Sequence, residues 1–374
     1  MSSVVRIRDV RVVLADVPTI RPHVLAMTTM NTQTIVLVEV ERDDGIKGFG
    51  EATTIGGLAY GDESPEGIKL AIETYFKPLM QNCDANRPAN VMALLHRHIV
   101  GNRFAKCAVE TALLDALGRA CNLSLSELLG GRRRDALPVA WTLASGETAK
   151  DIEEAEQMLS ARRHNAFKLK IGKRDVASDC AHVAAIAKAL GDRASIRVDI
   201  NQHWTRAQAV DGIARLQDAG VSLIEQPIAA SDVIGMRELC DQFDVAIMAD
   251  EALTGPSSAA RFIESRACDA MSLKINQSGG LTEARKVAAL AEVAHVALYG
   301  GTMLEGGIGT AAAAHLFSCL PDMEWGTELF GPLLLTEELL ADPLVYRDFG
   351  LIVPTGPGLG VTIDTGKLGH FERK

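Results

Sequence analysis

Phe167-Lys168-Leu169-Lys170 begins a series of five short stretches whose spacing decides the fold. Arg197-Val198-Asp199, Ile224-Glu225-Gln226-Pro227, Met248-Ala249-Asp250-Glu251 and Ser272-Leu273-Lys274 follow it. From Lys170 through Asp199, Glu225, Asp250 and Lys274 the steps are 29, 26, 25 and 24 residues. Each step is the length of one strand-plus-helix unit, so each charged group sits at the same point of a repeating module. In a parallel barrel that point is the C-terminal strand end, where successive units converge on one pocket.

Working outward, short apolar runs occupy 139–143, 166–171, 195–200, 221–226, 245–250, 270–275, 296–299 and 324–329. Helix-like stretches fill 149–162, 177–190, 206–219, 234–242, 257–264 and 281–293 between them. Eight such units predict an α/β fold of the (β/α)8 type, a modified TIM barrel. The rival is an open doubly wound sheet. That fold usually carries a glycine-rich phosphate turn after its first strand, and none follows Leu143. Upstream, 4–15 and 34–41 are rich in β-branched residues and close on Asp43-Asp44-Gly45, which predicts a strand meander. Helices are expected over 64–80, 91–99 and 105–120, with a short one before Gly130-Gly131. The expected division is an N-terminal α+β domain over 1–131, the barrel over 132–340, and a C-terminal segment, 341–374, returning to the first domain.

The chemistry follows from the residue types. Three carboxylates, Asp199, Glu225 and Asp250, at three successive strand ends suit a hard divalent cation such as Mg2+ or Mn2+. Lys168 and Lys170 are two apart on one strand and share a face. Mutual repulsion and a neighbouring cation would lower their pKa values toward proton-transfer duty. Lys274 alone could form a Schiff base, but that chemistry needs no triple-carboxylate site. Facing the lysine pair across the pocket, it suits proton transfer at a carbon beside a carboxylate, the metal stabilising the enediolate. Glu328 ends the eighth unit, either donating a hydrogen bond to that enediolate as a neutral acid or bridging to a lysine. The glycine-rich runs Tyr299-Gly300-Gly301 and Glu305-Gly306-Gly307-Ile308-Gly309 fit close backbone approach to a small substrate better than a phosphate cradle, because acids crowd the neighbourhood.

Composition narrows the classes further. The chain has 374 residues, 47% apolar and 23% charged, which is ordinary for a globular protein. A net charge of −10 argues against nucleic acid as a partner. No uncharged apolar stretch reaches the roughly 18 residues of a membrane span, and residues 1–13 carry Arg6, Asp9 and Arg11, so no signal-peptide core is expected. The seven cysteines are scattered and free of any C-x-x-C, which predicts reduced thiols in a cytoplasmic protein.

These elements, in order and in register, resemble the muconate-lactonizing subgroup of the enolase superfamily: Lys168-x-Lys170, Asp199-x-Asn201, Glu225-Gln226-Pro227, Asp250-Glu251 and Lys274. Within that subgroup the muconate cycloisomerases are most similar, through 50–60 (GEATTIGGLAY), 141–146 (WTLASG), 299–306 (YGGTMLEG) and 325–332 (WGTELFGP). The resemblance implies a capping domain whose loops close over the barrel, Mn2+ as metal with Mg2+ as substitute, and a homo-octamer. It implies a small dicarboxylate substrate, cis,cis-muconate from catechol (β-ketoadipate) catabolism, closed to muconolactone through a metal-stabilised enolate. Carried over, Lys170 is the acid, Lys168 tunes it, Lys274 guards the opposite face, and Glu328 supports the enolate. Ile55 and Tyr60, with residues 21–30 nearby, match the substrate-facing cap loops; Asn201 and Phe330 complete the expected substrate contacts on the barrel side. Ser272, Asn276 and Gln277 are closer to the chloromuconate enzymes, so activity on chlorinated muconates is expected beside the main one. A dipeptide epimerase or N-acylamino-acid racemase shares the two-lysine arrangement and is the enzyme rival. A catalytically silent binding homologue would be expected to lack one of these ligands or lysines, and all are present.

Overall fold

The structure, a computed structural model, describes residues 4–25 and 27–374. The N-terminal unit is an antiparallel meander: β1 (Ile7–Val24), β2 (Thr29–Arg42) and β3 (Lys47–Thr53), with β2 in the middle. β1 runs nine residues beyond the expected end at residue 15. It passes through Pro18 because it is an edge strand, where the missing N–H leaves no ladder bond unmade. The register with β2 shifts between Pro18 and His23, and this irregularity carries the strand end toward the barrel mouth.

The helix Arg103–Cys121 lies across the meander, and it approaches so closely that only glycine fits beneath it. A Cβ on Gly50 would stand 1.9 Å from the Ala108 carbonyl oxygen, and one on Gly48 would stand 2.2 Å from that of Ala112. On the same helix, the fully buried Asp115 accepts from Phe49 N (2.9 Å) on β3 and from Leu359 N (2.7 Å) in the C-terminal segment.

Next comes β4 (Ala136–Pro138), then seven parallel strands: β5 (Trp141–Leu143), β6 (Ala166–Lys170), β7 (Ser195–Asp199), β8 (Leu223–Glu225), β9 (Ala246–Ala249), β10 (Ala270–Leu273) and β11 (Ala297–Gly300). They pair strictly in sequence order, each followed by a helix on the outside, as the alternating pattern predicts. The eighth unit departs from expectation. Residues 324–329 do not form a continuous strand; Thr327 alone bridges in parallel to Gly300 on one side and Val139 on the other. Gly326 with φ +67° and the Phe330 N to Glu328 O turn bend the chain out of extended geometry. Through these two bridges Thr327 links β11 to Val139, two residues before β5. A second departure follows β10, where 275–278 form a helical turn instead of prolonging the strand.

The C-terminal segment adds β12 (Tyr346–Arg347) and β13 (Gly350–Ile352); β13 pairs with β4. Its last residues return to the meander, with a bridge from Glu372 to Ala15 and two hydrogen bonds from the Arg373 guanidinium to Asp16.

Candidate active site

The strand ends deliver the acids as the spacing predicts. Asp199 and Glu225 are the last residues of β7 and β8, and Asp250 is one past β9. One carboxylate oxygen from each lies within 4.8 Å of the others, and all three side chains are buried. The backbone just beyond the acids is bent sharply. Asn201 (φ +47°) and Gln226 (φ +33°) sit in the left-handed region, an unfavoured geometry that surrounding contacts must enforce. The Gln226 amide is one such contact: Oε1 accepts from Asp250 N at 2.9 Å while Nε2 donates to Ile228 O at 3.0 Å.

Lysines flank the acids on both sides. Lys168 Nζ donates to Glu328 Oε2 (2.6 Å) and Glu225 Oε2 (2.9 Å), with Asp199 Oδ2 at 3.6 Å. Lys170 Nζ reaches Asp199 Oδ2 at 2.5 Å. Across the ring, Lys274 Nζ lies 2.7 Å from Asp250 Oδ2. Burial raises the Asp199 carboxyl, but Lys170 and Lys168 outweigh it and hold it below the usual range. Burial likewise opposes the charge on Asp250, yet Lys274 draws it down to about 2. Burial and the Asp199 charge push Glu225 well up. The expected lowering of the lysine pKa does not hold for Lys168. Burial does work against its charge, but Glu225, Glu328 and Asp199 surround it and raise it well above the ordinary value.

The donor set fits a hard divalent cation. Three converging carboxylates carry excess negative charge, and Glu225 Oε1 and Asp250 Oδ1 are buried with no hydrogen-bond partner. Buried oxygens left so are costly unless a cation satisfies them.

Beside the acids lies a tight cavity of about 20 Å³. Lys168, Lys170, Lys274, Glu328 and Phe330 line it from the barrel; Ile55 and Tyr60 line it from the cap. Phe330 is fixed by Trp141, ring centroids 5.2 Å apart. Asn201, expected at the substrate, does not line the cavity. Its Nδ2 donates to Asp199 Oδ2 (3.2 Å) and Glu251 Oε1 (3.0 Å), so it braces one of the three clustered carboxylates instead. Ser272, Asn276 and Gln277 do not line it either. Asn276 donates to Glu305 Oε1 at 2.9 Å, and Gln277 Nε2 to the Asp250 carbonyl at 2.6 Å, so they support the site from behind. Residue 26, within the expected cap stretch 21–30, lies outside the described residues.

His23 and Leu25, within the expected cap stretch 21–30, also face the cavity, as do Thr142, Thr302 and Leu304, which sequence reasoning did not assign to the site. They carry no charge pattern or stride; only the folding of cap onto barrel assembles them. The glycine-rich run after β11 also has a different purpose from the expected one. Glu51 of the cap inserts its carboxylate there, accepting from Gly306 N at 2.5 Å and Gly309 N at 2.8 Å at the start of helix Gly307–Cys319. A cap carboxylate thus fills that helix N-terminus, a favourable place for negative charge.

Comparison with known proteins agrees with this geometry. Residues 7–130 match the mandelate racemase / muconate lactonizing enzyme N-terminal domain, and residues 150–367 the enolase C-terminal domain-like family. A muconate cycloisomerase of Acinetobacter lwoffii is 56% identical over 99% of this chain and 96% of its own length. A chloromuconate cycloisomerase of Cupriavidus necator is 45% identical over 98% of this chain and 99% of its own. The crystal structure of a Pseudomonas fluorescens muconate lactonizing enzyme complexed with muconolactone superposes with a TM-score of 0.98 at 52% identity, covering 99% of this chain and 100% of that one. The chain therefore belongs to the mandelate racemase / muconate lactonizing enzyme family, in its muconate cycloisomerase branch, and is an enzyme of the isomerase class.

Proposed function

We propose that the chain closes cis,cis-muconate to muconolactone. One observation carries the reading: ammonium groups from β6 and from the end of β10 face a single cavity from opposite sides of a three-carboxylate cluster. Asp199, Glu225 and Asp250 would hold a divalent cation, which we assign as Mn2+ with Mg2+ as substitute, and it would supply positive charge for one substrate carboxylate. The other carboxylate adds its oxygen to the double bond adjacent to the first. The π pair moves to the carbon beside the first carboxylate, and that carbon takes a proton from Lys170, which recovers one from solvent. The dianion becomes a monoanion with one proton taken up.

Lys170 suits the acid role better than Lys168. Two acids grip Lys168 within 2.9 Å, whereas Lys170 contacts one acid and is the more exposed of the two, 11% against 3% at the side chain. Glu328 anchors Lys168. Ile55 and Phe330 form apolar walls, and Lys274 with Tyr60 closes the opposite face.

The free state of all seven cysteines supports a reducing compartment, and we place the protein in the cytoplasm as a homo-octamer, the assembly that the family resemblance implies. Among the described residues, no helix is long and apolar enough to cross a membrane.

The deciding assay follows muconate absorbance with Mn2+ present, after chelation, and after Mn2+ is restored. Turnover should vanish with the metal and return with it. Full activity in a verified metal-free preparation would overturn the assignment of the three acids.

A further inference from the structure

We infer that His23, at the end of β1, is a substrate-positioning residue: its imidazole donates a hydrogen bond to the substrate carboxylate remote from the acid cluster, the one that attacks the double bond. The inference deepens the proposed function and rests on its dicarboxylate substrate.

His23 is 1% exposed, lines the cavity, and its Nδ1 has no hydrogen-bond partner among the described residues. A buried polar atom without a partner is rare and usually marks a place where a ligand or water completes the bond. The surroundings select an anion. The imidazole lies within the fields of Lys170, Arg21 and Lys168, all positive. Burial, reinforced by these three cations, lowers its pKa to about 3, so the ring is neutral at working pH and carries one N–H. A neutral donor inside a positive environment holds a carboxylate without adding a further charge that must be desolvated.

Position supports the same ligand end. The acids come from β7 through the end of β9, whereas His23 arrives from the cap strand β1 and lines the cavity together with Lys168, Lys170 and Thr142. A six-carbon dicarboxylate with one end at the acids has its other end to satisfy elsewhere in this cavity. Arg21, two residues earlier, fixes the strand end to the barrel: its Nη2 donates to Thr142 O (3.1 Å) and Glu154 Oε1 (2.9 Å). The cap therefore contributes a polar contact as well as an apolar wall.

The test uses the Mn2+-loaded, full-length enzyme with two probes, adipate and hexanoate. Both have six carbons, but only adipate has a second carboxylate. Binding is measured by calorimetry for wild type, His23→Ala and His23→Asn. A hydrogen bond to a charged group predicts that His23→Ala weakens adipate about 10- to 100-fold while hexanoate is unchanged. His23→Asn, whose amide can stand where Nδ1 stands, should recover most of the adipate affinity. Equal weakening of both probes would mean a structural role, and no weakening of either would mean no contact; both results overturn the inference. Muconate turnover by the wild type, measured in parallel, tests the proposed function separately. If the wild type failed to lactonise muconate, that reading would fall, while the two probes would still decide the role of His23.

Discussion

Tyr60 of the capping domain donates its hydroxyl to Asp250 Oδ2 at 2.8 Å, so a cap residue touches one of the acids proposed to hold the metal. The Tyr60 hydroxyl oxygen in turn accepts from Lys274 Nζ at 2.7 Å. Closing the cap and positioning Lys274 are therefore one event. Tyr60→Phe removes both contacts while keeping the ring beneath the ammonium, 4.7 Å from its centroid. Hydrogen bonds to charged groups contribute about 1.5–3 kcal/mol. We expect kcat/KM for muconate to fall about 10- to 100-fold, with Mn2+ affinity changing less. Unaltered steady-state kinetics would show that this contact does not serve turnover.

Lys170→Ala should lower kcat by about 10²- to 10⁴-fold, the usual worth of general acid–base catalysis. Metal binding should survive, because Lys170 supplies no metal ligand. Lys274→Ala should cost less in kcat if that ammonium only positions substrate. Stopped-flow turnover and Mn2+ titration of both variants check the two statements together. A Lys170→Ala enzyme with near-normal kcat would need another acid.

Ile55, 5% exposed, is an apolar part of the cavity wall. A methylene-sized difference in a pocket is worth about 1–3 kcal/mol. The wild type should prefer muconate yet turn over a chloromuconate measurably. Ile55→Val should move the ratio of kcat/KM values toward the chlorinated substrate by opening room at the wall. If the ratio does not move, the wall stands elsewhere. If the wild type prefers chloromuconate, the choice between the two cycloisomerase activities reverses.

Glu51 gives the fold a pH signature. Burial raises its carboxyl from 4.5 to about 7, opposed by the N–H groups of Gly309 and Gly306 and aided by the charge of Glu305. A carboxyl whose folded pKa lies above the unfolded one binds more protons folded than unfolded. Its contribution is complete below about pH 4.5 and is lost as pH rises through about 7. The loss is at most on the order of 3 kcal/mol, from 1.36 kcal/mol per pKa unit. Denaturant unfolding at pH 5 and pH 8 should show wild-type stability falling more steeply than that of Glu51→Gln, which cannot titrate. Equal slopes would mean that Glu51 is ionised throughout.

The stride of acids and lysines was legible in the sequence because strand-plus-helix units have nearly constant length. A side chain at one strand end thus predicts the next, and Asp199, Glu225, Asp250 and Lys274 all fall where the spacing puts them. The eighth unit was less legible. Glu328 was assigned to a strand end, but Gly326 at φ +67° leaves only one bridging residue, and hydropathy does not report that turn. Asn201 illustrates a further limit. Its place beside Asp199 was evident, but whether it met substrate or a carboxylate depended on Glu251, 50 residues away.

By itself, then, the sequence determined the α/β class, the barrel order, the three acids at successive strand ends and the lysines on two faces. These are local properties repeated at a fixed period, so they need no knowledge of distant contacts. Only the tertiary structure decided which cap residues meet the chemistry. His23, Tyr60 and Glu51 lie in the separate N-terminal unit, and the contacts of Tyr60 on Asp250 and Lys274 and of Glu51 on Gly306 span 190 residues or more. Those contacts exist because helix Arg103–Cys121 packs against Gly48 and Gly50 on one side and the turn after Lys274 on the other, setting the cap over the barrel mouth. No periodicity encodes such docking; it follows from the shape and burial of two folded surfaces.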